Sequence, residues 1–115
     1  LRFTVPGRPV PKERPRRGRN GRFYTPARTR SYEEKVGWAA RAAGVRILPG
    51  PVSLTARFYF SRNPPGDLDN YLKAVADGLK GIAYRDDRQV AMISAEARRC
   101  PAGEERVEVE VNSIT

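Results

Sequence analysis

Histidine is absent from these 115 residues, and cysteine occurs once, at Cys100. The first absence removes serine–histidine and cysteine–histidine nucleophilic pairs and every histidine-bearing zinc site. Chemistry must therefore rest on carboxylates, lysine or a bound metal. The second excludes a disulfide framework and, with no apolar signal core at the N-terminus, predicts a reducing, cytoplasmic setting. Cys100 itself reads as an ordinary surface or half-buried thiol. Also missing is an apolar run long enough to cross a bilayer, so no membrane-spanning role is expected. Acidic residues are scarce: 13 Asp and Glu stand against 22 Lys and Arg, a formal net charge of +9. That excess favours a polyanionic partner, nucleic acid before an acidic membrane.

What is present reads as one domain spanning residues 1–115, with 39% apolar and 30% charged residues, a length at which a partner subunit helps to complete a core. Arg2-Phe3-Thr4-Val5 is a short strand candidate. Repeated Pro and Gly then predict a long irregular loop over about residues 6–30. It carries Arg8, Lys12, Arg14, Arg16, Arg17, Arg19, Arg22, Arg28 and Arg30 against the single acid Glu13. Phe23, Tyr24 and Tyr32 interrupt this basic stretch, either to stack on exposed bases or to anchor the loop to the core.

Ser31 followed by Glu34 has the form of a capping box, and Val36, Ala39, Ala40 and Ala43 recur at helical spacing, predicting a helix over 31–43 that Gly44 ends. Trp38 falls off that stripe. Val52, Leu54, Ala56, Phe58 and Phe60 alternate with polar residues as a half-buried strand. A second helix is expected from about Asn70 to Lys80, with Leu72, Val75, Ala76 and Leu79 on its core stripe. Strands follow at Gln89–Arg98 and Arg106–Ile114, joined by a hairpin at Pro101-Ala102-Gly103. The order implies an α+β domain: a mixed sheet of about four strands with two helices packed on it.

Within this basic chain all five aspartates gather in one stretch, Asp67-Leu68-Asp69-Asn70, Asp77 and Asp86-Asp87. Two carboxylates held about 4 Å apart repel by roughly 4 kcal/mol at an effective dielectric near 20. A site that collects three must bind a cation or keep a proton. Magnesium is the economical choice, because it takes one or two carboxylates, keeps several waters and completes its shell with phosphate oxygens. Asp67 and Asp69 are two apart in extended geometry and point the same way, while Asn70, Lys73 and Asp77 share one helical face. Asp86-Asp87 can complete the cluster when the chain folds back. The purely structural alternative is that Asp69 caps the helix, Asp67 stabilises the Pro-Gly turn and Lys73 pairs with Asp77.

Asp67-Leu68-Asp69-Asn70, Lys73, Asp77-Gly78-Leu79 and Asp86-Asp87-x-Gln89-Val90 together resemble the signature of the RusA-like Holliday junction resolvases of bacteria, prophages and phages. The segment from Val5 to Arg16 is similar to the basic N-terminal loop of phage-type members. The resemblance implies a small mixed α/β homodimer that cuts DNA. It makes Asp67, Asp69 and Asp87 metal-binding carboxylates and Lys73 a catalytic support group near the phosphate. Asn70, Asp77 and Asp86 would then be orienting groups.

The activity expected is magnesium-dependent hydrolysis of DNA phosphodiesters at four-way junctions by paired symmetric cuts, with manganese able to substitute. Arg8, Lys12, Arg14, Arg16, Arg17, Arg19 and Arg22 would dock the DNA, and no nucleotide cofactor is expected. Two rival readings remain: a non-enzymatic module that binds structured nucleic acid, and a less selective nuclease of flaps or branched DNA.

Overall fold

The alternation of apolar residues fixes the central strand of the structure, a computed structural model that describes residues 1–114. Strand β4, Val52–Phe60, buries Val52, Leu54, Ala56, Phe58 and Phe60 on one face, as the twofold period of a pleated strand requires. Around it the chain builds β1 (Arg2–Pro6), a two-stranded ribbon of β2 (Arg16–Arg17) and β3 (Phe23–Tyr24), helix α1 (Ala27–Ala42), helix α2 (Leu68–Leu79), β5 (Val90–Arg99) and β6 (Arg106–Ser113). The main sheet has the order β1-β6-β4-β5. Its β1/β6 and β6/β4 pairs are antiparallel, and β4/β5 is parallel. This is the α+β mixed sheet that the sequence implies, with both helices on one face and Phe58, Tyr71, Tyr84 and Leu54 among the largest buried side chains.

Three local expectations are corrected. Strands β5 and β6 do not form a hairpin at residues 101–103, because β4 lies between them. The β4-α2-β5 crossover is the helical return that a parallel pair needs, so β6 takes the remaining side of β4. The connection crosses the end of β4, where the Cys100 N–H donates to the Phe60 carbonyl at 3.0 Å. Helix α1 begins at Ala27 behind Pro26, a turn before Ser31, with no side-chain cap. Its buried residues are Thr29, Tyr32, Val36, Gly37 and Ala40, so Ser31 and Glu34 lie within it. Residues 6–30, finally, are not irregular throughout: they contain the β2–β3 ribbon.

The helices touch through glycine. A Cβ on Gly78 would lie 2.8 Å from the Glu33 carbonyl oxygen and 3.0 Å from Val36 Cβ. Gly78 thus belongs to the Asp77-Gly78-Leu79 motif for a packing reason: it lets α2 approach the backbone of α1.

Candidate active site and nucleic-acid interface

Asp67 occupies the N-cap position of α2 and Asp69 its first turn, yet Asp67 makes no side-chain cap bond. Among the described residues neither carboxylate has a side-chain hydrogen-bond or ion-pair partner, and both are exposed. The structural alternative therefore loses its capping role for Asp69 and its turn role for Asp67. The positive end of the helix dipole favours negative charge at this entrance. Lys73 stands one turn further along the face of Asp69, exposed. It does not pair with Asp77, whose Oδ2 meets Lys12 Nζ at 3.0 Å.

Lys12 is consequently not a free DNA-docking cation, as the sequence suggested. Its ammonium lies 2.6 Å from Glu33 Oε2 as well as beside Asp77, with a side chain only 16% exposed. Burial opposes its charge, but hydrogen bonds to Glu33 and Asp77 outweigh that cost and raise its pKa. The Lys12 N–H donates to the Asn70 carbonyl at 2.8 Å, and the Glu13 N–H donates to Thr29 Oγ1 at 3.1 Å. Pro9 is buried and Val10 packs against the core. Residues 9–13 are thereby strapped across both helices, and Asp77 acts as the anchor of the strap. Arg8, Arg14, Arg16, Arg17, Arg19 and Arg22 are the cations of this segment that stay on the surface, Arg14, Arg16, Arg17, Arg19 and Arg22 beyond the strap and Arg8 before it.

Asp86 and Asp87 form a separate turn. Asp86 caps a single 3-10 turn over Asp87–Gln89, accepting from the Arg88 N–H at 2.9 Å. The Arg88 side chain and backbone N–H hold its carboxyl down at about 2, from an ordinary 3.8. The reciprocal half of this capping box is Gln89, whose Oε1 accepts from the N–H groups of Arg85 and Asp86 at 2.8 and 3.1 Å. Its Nε2 donates to the carbonyls of Leu48 and Gly50, both at 2.8 Å. One amide thus ties the acidic turn to the loop before β4. The D-x-x-Q spacing is the sequence signal for this role, the same kind of pattern that at Ser31 and Glu34 marks no cap.

Asp87 is exposed, with Oδ2 3.6 Å from Lys80 Nζ. Lys80 is a neighbour of the acids that the motif does not include, although it continues the stripe of Asp69 and Lys73. Because Lys80 is the C-cap of α2 and Asp67 its N-cap, Asp87 sits at the far end of the helix from the first two carboxylates. Among the described residues no group of three acids lies within reach of one ion. The protomer does not gather Asp67, Asp69 and Asp87. What it offers is two unpartnered carboxylates at the entrance of α2, with Lys73 one turn beyond Asp69. Asp69 lies inside the helix and not on the extended stretch that the spacing assumed. Magnesium needs only one or two carboxylates and takes the rest of its shell from water and phosphate.

The orientation of α2 against β5 explains the gap. Tyr71, near the start of α2, packs its ring 5.1 Å from Phe60 at the end of β4, and Phe60 is level with Arg99 at the end of β5. Helix and strand therefore run in opposite directions, and Asp87 precedes the start of β5. That strand is an open edge of the sheet. Met92 and Ile93, on its opposite faces, are 62% and 56% exposed.

The model of the family described as Endodeoxyribonuclease RusA matches residues 6–112. The chain is also similar to an uncharacterized protein, YqaN, of Bacillus subtilis (strain 168). The two are 29% identical over 140 aligned positions, which cover all of this chain and 97% of the relative.

Proposed function

Since the chain belongs to the RusA endodeoxyribonuclease family, we propose that it is a magnesium-dependent nuclease that resolves four-way DNA junctions by symmetric cuts and works as a homodimer in the cytoplasm. The observation that carries this reading is the pair Asp67 and Asp69, held unpartnered at the entrance of α2 in a chain of net charge +9. Beyond their favourable place at the positive end of the helix dipole, these acids have no side-chain partner among the described residues. They suit an ion that is shared with a bridging phosphate.

Magnesium bound by Asp67 and Asp69, or manganese in its place, would polarise the scissile phosphate and supply an activated water. Lys73, exposed one turn along the same face, offsets the negative charge that grows on the phosphate oxygens in the transition state. The exposed arginines of residues 8–22 dock the backbone, each neutralised phosphate releasing counterions. Asn70 and Asp77 hold the strap over α2, and Asp86 with Gln89 sets the turn that carries Asp87.

The homodimer gives Asp87 its place. An open edge strand with exposed Met92 and Ile93 is a pairing surface, and twofold pairing of β5 with β5 is antiparallel. The start of β5 in one copy then lies toward the end of β5 in the other, which is the end where α2 begins. Each copy would deliver its Asp87 toward the Asp67 and Asp69 of the other, and a complete site would exist only in the dimer.

Cleavage of a mobile four-way junction, with linear duplex and flap DNA as controls, tests the activity. Wild type should cut the junction in paired positions with magnesium and not without it. Asp69→Asn should lose cleavage while retaining or tightening junction binding, because one negative charge beside the DNA is gone. Magnesium-independent cutting, or loss of binding with catalysis intact, would contradict the proposal.

A further inference from the structure

The ribbon of β2 and β3 carries two aromatic rings that lie outside the hydrophobic core. Phe23 is 72% exposed and Tyr24 48%, so neither anchors the loop to the core, one of the two roles their sequence position allows. Arg16 pairs with Tyr24 and Arg17 with Phe23 across the ribbon. Directly opposed residues share a face, so each face presents one ring beside one guanidinium. The tip is preformed: the Gly18 N–H donates to the Arg22 carbonyl at 2.8 Å, Asn20 Oδ1 accepts from the Arg22 N–H at 3.0 Å, and Gly21 takes a positive φ of 78°. Arg19 and Arg22 flank that tip, exposed. Glu13, the only acid among residues 6–30, meets Arg16 at 3.3 Å at the base of the ribbon.

We propose that this ribbon is a base-stacking arm, in which Phe23 and Tyr24 receive unpaired nucleobases while Arg17, Arg19 and Arg22 hold the adjoining phosphates. The proposal rests on the nucleic-acid reading above and goes further, since it assigns contact with bases rather than with the backbone alone. A ring beside a guanidinium on each face matches the repeat of a nucleotide, a flat π-system next to a negative charge. An apolar protein partner would bury the Arg17 guanidinium without a counter-charge, Glu13 being taken by Arg16. A fully paired duplex would use the arginines and leave the rings idle. Unpaired or unstacked bases occupy both, and a branch point, where the stack of each arm ends, is where a junction exposes base faces.

The test uses the full chain in EDTA, so that no substrate is cut. In a Phe23→Trp, Trp38→Phe double variant the only tryptophan is on the arm. Its emission should be quenched by an oligothymidine and by a four-way junction, and not by blunt duplex at the same phosphate concentration. Phe23→Ala and Tyr24→Ala should each weaken oligothymidine binding at least about fivefold and leave the salt dependence unchanged, because no cation is removed. Equal quenching by duplex and single strand, or unaltered affinity in both alanine variants, would overturn the arm. Ring-dependent binding of oligothymidine by a protein that cuts no junction would sink only the nuclease reading. Junction cleavage with silent rings would sink only the arm.

Discussion

At the scale of single residues, Gln89 is the most heavily committed polar side chain near the acidic motif. Its amide joins four backbone groups at 2.8–3.1 Å. Removing it frees the turn of Asp86 and Asp87 from the loop before β4, leaving the 3.6 Å contact of Asp87 with Lys80 as its side-chain tie to α2. Gln89→Ala should therefore lower kcat for junction cleavage about tenfold or more while junction binding changes little. A parallel fall in both would mean that the residue only supports the fold, and Gln89→Glu, which keeps the two acceptor bonds, should recover part of the loss. Asp86 offers a pH signature. Its carboxyl is held at about 2 in the folded chain against 3.8 ordinarily, so its contribution to stability is complete above about 3.8 and disappears as pH falls through about 2. Melting temperatures of wild type and Asp86→Asn should differ at neutral pH and converge toward pH 2. A difference that persisted at pH 2 would assign the effect to something other than this charge.

At the scale of elements, the packing of α1 on α2 depends on Gly78. Alanine would ordinarily favour a helix interior by up to about 1 kcal/mol. Here the added methyl meets the Glu33 carbonyl at 2.8 Å, and such backbone overpacking costs about 1–3 kcal/mol. Gly78→Ala should lower the midpoint of urea unfolding; an unchanged or raised midpoint would show that the helices separate freely. The strap gives a second expectation. Lys12→Met should weaken the hold of residues 9–13 and speed amide exchange at the Lys12 and Glu13 N–H groups, with little change in the salt slope of DNA binding, because Lys12 is already paired. These elements also show how sequence signals mislead. The alternation in β4 and β6 and the apolar stripe of α2 were legible because burial is written directly into residue type. The start of α1 was not, since Pro26 and the buried Thr29 set it through tertiary packing, whereas Ser31 and Glu34 imitate a cap. The β2–β3 ribbon was hidden by its glycines, which here make its turn.

For the whole molecule, residue identity could name the acids but not say where the fold would carry them. Strand order decides that: a parallel β4/β5 pair with a helical return places Asp87 at the opposite end of α2 from Asp67, a fact with no local sequence signal. Charge, by contrast, was legible from composition. Replacing Arg16, Arg17 and Arg19 together should reduce the slope of log affinity against log salt by up to about 0.9 for each phosphate that is no longer neutralised, and an unchanged slope would remove the ribbon from the interface. In the proposed dimer a working site draws its carboxylates from two copies of the chain. Subunit mixing tests it most directly. Asp69→Asn and Asp87→Asn proteins, each inactive alone, are unfolded together, refolded and assayed on a four-way junction with magnesium. In a mixed dimer one site carries both lesions and the other carries none, so single-strand nicking should return. A mixture as inactive as its two parents, with mixed dimers demonstrably formed, would rule out a site shared between subunits.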